Sequence, residues 1–307
     1  IVFGDWSSDV CSSDLHFIVL LIGCFPSSLI MLRAFSKNPN DSSLQNQYKQ
    51  WMFVVLSVVL IVFSIVNTKI VHYSSLAYFP ITFLATYSVY SICFRELKWK
   101  LSTNWLIGIF GVIIGIAFIV LPWILIHKEI ILDSIKDNFT LEILKTPVHW
   151  IGIEYIPGIL FVGLLIAVLI FWLKKKYLKG FVILYGMTAI TIFISMPLIV
   201  SKVDQYIQGT AIEFYKSQKD KDVYVHILNI SSYRYGHLFY SEKPPSLSSY
   251  YNSNIPSDNL ENWYLTGEID KPVYFITKIT SYKDYIEKYN LDLVELKYGF
   301  AILIRRI

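Results

Sequence analysis

Trp51 to Asn67, then Thr68-Lys69-Ile70-Val71-His72-Tyr73, then Ser74 to Cys93: two long apolar runs are separated by a polar hexapeptide that carries an ammonium, an imidazole and a phenol. A bilayer hydrocarbon core of about 30 Å is crossed by a helix of roughly 17 to 25 apolar residues. The stretch therefore reads as two spans that cross in opposite directions, joined by a tight turn. A lysine at the bilayer centre costs about 2.5 to 3.5 kcal/mol, so Lys69 belongs at the interface, at the depth of lipid headgroups. There its donors meet a phosphate as a compact charge, and Tyr73 adds a neutral hydrogen bond. The turn is a candidate lipid-phosphate site; an aromatic belt with one snorkelling lysine fits the same residues.

Working outward, His16 to Phe35, Trp105 to Ile126, Ile156 to Leu173 and Phe181 to Val203 complete a set of six predicted transmembrane helices. The bulk composition agrees, since 54% of the 307 residues are hydrophobic and only 16% charged. Pro26, Pro80, Pro122 and Pro197 lie within or near span ends, where kinks are expected. Orientation follows from lysine and arginine, which collect on the cytoplasmic side. Lys174, Lys175, Lys176 and Lys179 crowd the connection between the last two spans. Counting back, the connections holding Arg95, Lys98 and Lys100, and Arg33, Lys37 and Lys49, fall on the same side. The turn at Lys69, the segment His127 to Tyr155 and everything after Val203 then face outward, into the periplasm of a Gram-negative bacterium. Glu129 to Leu144 mixes apolar and charged residues and reads as an amphipathic helix on the outer interface.

After Val203 the composition becomes that of a water-soluble domain. Asp204 to Gln218 continues as a connecting helix. Asp222 to Asn229, Pro272 to Thr277, Asp292 to Lys297 and Phe300 to Arg305 read as strands. Asn259 to Thr266 and Tyr282 to Tyr289 read as helices between them, which makes a small α/β domain. The expected layout is a membrane domain over residues 16–203 and a periplasmic α/β domain over 204–307. Residues 1–15 are set apart, because Asp5-Trp6-Ser7-Ser8-Asp9-Val10-Cys11-Ser12-Ser13-Asp14-Leu15 matches one translated frame of a sequencing adapter. On that reading the natural protein extends upstream and this chain is a C-terminal fragment. Cys11, Cys24 and Cys93 form no disulfide pattern. The net charge of +4, scattered between spans, gives no reason to expect nucleic acid.

The hexapeptide followed by Phe79-Pro80 resembles the Lys-x-x-x-Tyr-x-x-x-x-x-Pro region of bacterial GT-C membrane glycosyltransferases, the lipid-A aminoarabinose transferases and their protein O-mannosyltransferase relatives. The alternating spans, the outer interfacial segment and a soluble domain ending in strands are similar too. The resemblance implies an inner-membrane enzyme that moves a sugar from a polyprenyl-phosphate donor to a lipid, glycan or protein acceptor. It gives Tyr73 a place beside the donor phosphate, with Lys69 and His72 as weaker candidates. The family's catalytic aspartate lies in the first outer loop, upstream of this chain, so no catalytic residue is assigned here. No metal site is assigned either; a divalent cation stays open as a cofactor. His149 and Glu154, five residues apart, share a helix face poorly and make a weak metal pair.

Two rivals stand beside this reading. A transporter half or envelope-assembly subunit would be non-enzymatic, but a transporter favours ionisable residues or broken helices at mid-membrane, and these spans hold almost no charge. An oligosaccharyltransferase would carry a Trp-Trp-Asp motif in its soluble domain, which Asn262-Trp263-Tyr264 does not supply.

Overall fold

The computed structural model describes residues 15–36, 38–65, 75–95, 97–229, 236–244, 247 and 259–307. Helices α1 (Leu15–Gly23), α2 (Ser27–Ile30, continued by a 3-10 turn over Met31–Phe35), α3 (Ser43–Ile65), α4 (Tyr78–Phe94) and α5 (Leu101–Ile126) come first. Two short helices follow, α6 (Glu129–Leu132) and α7 (Asn138–Leu144), then α8 (Ile156–Leu173) and α9 (Tyr177–Ser195). The last continues through π segments at Met196–Val200 and Gln205–Gly209, flanked by α10 (Ser201–Asp204) and α11 (Thr210–Ser217). The remaining elements are β1 (Tyr224–Ile227), α12 (Gly236–Ser241), α13 (Leu260–Thr266), β2 (Val273–Lys278), α14 (Tyr282–Tyr289), β3 (Asp292–Lys297) and β4 (Phe300–Arg305). Among the described residues the chain forms two compact units, one of residues up to 123 with 152–196, the other of 124–151 with 197–307.

The chain is a multi-pass membrane protein. Five helical runs are long and apolar enough to cross a bilayer: Ser43–Ile65, Ser75–Phe94, Leu101–Ile126, Ile153–Leu173 and Tyr177–Ser217. The sixth expected span, His16 to Phe35, is bent: Phe17–Gly23 and Ser27–Phe35 meet at 107°, and the pair makes a sixth crossing if it is one broken span. Pro26 has no amide hydrogen to continue the ladder, and its ring excludes the carbonyl one turn back. In lipid the freed carbonyls need other donors; Ser28 Oγ donates to Leu21 O at 2.6 Å and Ser28 N to Cys24 O at 3.0 Å. Pro80 falls in the first turn of α4, where its missing donor costs little. Pro197 lies in a π segment.

Several small polar side chains inside the spans satisfy themselves. Ser88 Oγ donates to Leu84 O at 2.9 Å and Thr188 Oγ1 to Leu184 O at 2.8 Å, so neither needs a partner across lipid. The core of the helical unit gathers Phe161, Leu165, Trp172, Phe181 and Leu184 from α8 and α9 with Ile107 from α5 and Ala85 from α4. Helices α5 and α8 approach closely at glycines, as membrane helices do when small residues let backbones meet. A Cβ on Gly158 would stand 2.6 Å from Ile119 Cγ1 and 2.9 Å from Gly115 O.

In the other unit the four-stranded sheet has the order β1-β2-β4-β3, with β1 parallel to β2 and the other pairs antiparallel. Both faces are covered. Tyr224, Val273, Phe275, Ala301 and Leu303 pack on one side with Tyr264 and Leu265 of α13 and, partly buried, Tyr282, Tyr285 and Ile286 of α14. Val225, Ile227, Ile276 and Phe300 pack on the other with Ala211 and Tyr215 of α11. Two-sided burial explains why Phe300-Ala-Ile-Leu-Ile304 is apolar without alternation.

The expected interfacial helix over Glu129 to Leu144 is also corrected. It forms two short helices, and α7 turns Phe139 and Ile143 toward the sheet, with the Phe139 and Phe300 rings edge to face at 5.6 Å. Gly299 makes the β3–β4 turn at φ +84, and a Cβ there would meet Ile143 Cγ2 at 2.7 Å. The apolar face read as lipid-seeking therefore meets protein.

Gly158→Leu is expected to lower stability by about 1–3 kcal/mol through overpacking, since the oxygen it meets is backbone and has no rotamer to adopt. Gly163→Ala, with nothing within 4 Å of its added Cβ, is expected to be near neutral. Thermal unfolding of both variants in one detergent checks the pair, and equal midpoints would refute close α5–α8 packing.

Candidate functional site

The turn that the sequence singles out joins α3 to α4, and what positions it is a buried polar cluster at the other end of that hairpin. Asp41, just before α3, has a side chain with no exposure; Lys49 Nζ lies 2.5 Å from its Oδ2. Tyr87 OH, from α4, donates to the same oxygen at 2.5 Å. Arg95, just past α4, donates to Gln45 Oε1 at 2.8 Å, and Asn40 Nδ2 donates to Arg95 O at 3.3 Å. A buried charge needs a hydrogen-bonded partner, so the start of α3 is held against the end of α4.

The consequence is geometric. At about 1.5 Å rise per residue, Ile65 stands roughly 24 Å from Lys49 along α3, most of the way across a hydrocarbon layer of about 30 Å. Residues 66–74 follow Ile65 in the chain and link α3 to α4. Lys69, His72 and Tyr73 belong to that connection and lie outside the described residues. In the half of the hairpin distal to Lys49, Leu56 and Val59 of α3 pack with Ala77, Ile81 and Leu20 in an apolar plug. Among the described residues, the spans carry no Asp, Glu, Lys or Arg in this half of the hairpin.

The second polar concentration lies in the sheet-bearing unit. His226 of β1 and His237 of α12 have ring centroids 5.9 Å apart, and the His226 ring lies 5.2 Å from that of Tyr264. Both His226 ring nitrogens and His237 Nδ1 are buried without a hydrogen bond. Glu261 Oε2 stands 3.7 Å from His226 Nε2. Burial pushes His237 down to about 3, with the neighbouring His226 adding to the shift, so its imidazole is neutral at physiological pH. The helix α12 seals one edge of the sheet, with His237 and Ser241 buried; Tyr233, Arg234 and Tyr235 lie outside the described residues.

Among the described residues, no group of three His, Cys, Asp or Glu is placed to hold a metal ion. His149 is exposed, and Glu154 is fully buried with Oε2 accepting from Gly152 N at 2.7 Å. Sequence reasoning missed the Asp41 cluster. Its signal was Asp41, one of two acids with Glu96 among stretches that carry ten basic residues: Arg33, Lys37, Lys49, Arg95, Lys98, Lys100, Lys174, Lys175, Lys176 and Lys179.

The fold is similar to that of a solved membrane protein. It matches crystal structures of ArnT, an aminoarabinose transferase, from Cupriavidus metallidurans: the apo form with a TM-score of 0.59 at 10% identity and the form bound to undecaprenyl phosphate with 0.58 at 9%. Each match covers 95% of this chain and 52% of ArnT, so the chain spans about half the length of the structures it resembles. At this identity the likeness establishes the fold. No protein-family model matches the sequence, and no curated protein matches it.

Lys49→Met leaves the Asp41 carboxylate buried without its cation, which is expected to cost about 3–5 kcal/mol. The double variant Asp41→Asn with Lys49→Met is expected to lose less than the sum of the single losses. Unfolding midpoints of the two single variants and the double variant decide it; additive losses would show that the pair is not coupled.

Proposed function

We propose that this chain contributes the donor-lipid side of a glycosyltransferase that moves a sugar from a polyprenyl phosphate to a lipid, glycan or protein acceptor. The observation that carries the proposal is the fold match over 95% of the chain to a protein solved with undecaprenyl phosphate bound. The turn at Lys69 supports it, as does the near absence of ionisable groups from mid-membrane, which a transporter would need. The membrane is the bacterial inner membrane, with the turn and the domain after residue 203 on the periplasmic side, a placement supported by the basic residues at the opposite end.

In this reaction an acceptor hydroxyl attacks the anomeric carbon of the donor sugar. The bond between that carbon and the phosphate oxygen breaks, and polyprenyl phosphate departs as an anion. Lys69 supplies a positive charge and Tyr73 a hydroxyl donor to the phosphate as its charge develops, an arrangement that stabilises the transition state without reorganising water. His72 is placed to add a third donor. No general base is assigned to this chain. A divalent cation is likewise left without ligands.

The test is the affinity of the purified protein for undecaprenyl phosphate. Tyr73→Phe removes one hydrogen bond to a charged group, worth about 1.5 to 3 kcal/mol, so binding is expected to weaken roughly ten- to a hundredfold. Lys69→Ala should weaken it similarly, whereas Lys69→Arg keeps the charge and should retain part of the affinity. Affinities within twofold of the parent for both Tyr73→Phe and Lys69→Ala would reduce the turn to an interfacial belt and overturn the assignment.

A further inference from the structure

A groove of about 450 Å³ runs along the outside of α5 and α8, lined by Leu101, Asn104, Trp105, Gly108, Ile109 and Leu169 among others. It is lined almost wholly by carbon. Its floor is set by Gly108, where an added Cβ would reach Leu169 Cδ1 at 3.6 Å and leave the channel open. The groove begins at Leu101 and Leu173, the last residues before the lysine-rich end, and runs toward the membrane interior along Ile109, Val112 and Ile113. It lies within two helices that are long and apolar enough to cross a bilayer, so what fills it is a hydrocarbon chain.

The mouth says which kind. Lys100 and Lys174 adjoin Leu101 and Leu173, both are exposed, and among the described residues neither is in an ion pair. Lys175, Lys176 and Lys179 extend the same positive field, and the described acid at this end, Asp41, is spent on Lys49. Trp105, 67% exposed, stands one turn inside the mouth, where an indole suits the boundary between headgroup and chain. We propose that the α5–α8 groove holds one acyl chain of an anionic glycerophospholipid from the lysine-side leaflet, its phosphate resting on Lys100 and Lys174. This lipid sits at the opposite membrane face from the turn at Lys69. The inference does not rest on the donor reading and survives its failure.

Native mass spectrometry of the full chain, released from detergent with added dioleoylphosphatidylglycerol or dioleoylphosphatidylcholine, tests it. The parent protein should retain one phosphatidylglycerol, with a preference over phosphatidylcholine on the order of tenfold from two interfacial lysines at low salt. Lys100→Gln with Lys174→Gln should erase the preference. Gly108→Leu should fill the groove and abolish retention of either lipid, while Gly108→Ala, whose Cβ makes ordinary contact, should keep it. Equal retention of the two lipids by the parent, retention unchanged in Gly108→Leu at an unaltered unfolding midpoint, or a dimer in which the groove residues are protected by a second copy would each overturn the proposal.

Discussion

Hydrocarbon has no partner to offer an unpaired charge or an unpaired backbone group, and the arrangement of this chain follows from that. Ten basic residues lie in or beside the sequence stretches between spans that the order of spans assigns to one side. One of them, Lys49 in the first turns of α3, is paired with Asp41 and Tyr87. Pairing there fixes the base of the α3–α4 hairpin. Where a helix breaks, at Pro26, the loose carbonyl of Leu21 is taken up by Ser28 Oγ. The same rule accounts for the clamp and the bend.

Outside the bilayer the constraint is two-sided burial. Strands β1, β2 and β4 are covered on both faces while the edge strand β3 is exposed, so β4 is apolar from Phe300 to Ile304, and the helices α13 and α14 on one side and α7 and α11 on the other complete the core. His237 lies within this packing as a neutral ring, because burial, with the neighbouring His226 adding to the shift, disfavours its charged form.

Much of this was legible in the residues. Run length found the straight spans, and short apolar runs broken at Gly299 and helical spacing placed β3, β4 and α14 at their observed limits, because those signals record local geometry directly. The sharpness of the bend in the first span was not legible, since apolar content measures the preference for lipid and is silent about whether the backbone ladder is whole. Glu129 to Leu144 misled for a related reason: an apolar stripe has the same spacing whether it faces lipid or Phe300. The Asp41–Lys49 pair joins residues eight apart through a loop and a helical turn, a spacing that belongs to no helix or strand period. At the candidate turn the sequence supplied residue types compatible with a phosphate, and Lys69, His72 and Tyr73 lie outside the described residues.

Single-cysteine accessibility tests the account most directly. With Cys11, Cys24 and Cys93 replaced, Ser74→Cys at the turn and Lys175→Cys at the lysine end are each probed with a membrane-impermeant thiol reagent on intact spheroplasts of the expressing bacterium. The account predicts that Ser74→Cys is labelled at once and Lys175→Cys only after permeabilisation. The reverse pattern would place the turn on the cytoplasmic face and remove the lipid-phosphate site; labelling of both from outside would mean that α4, α5 and α8 do not all cross the membrane.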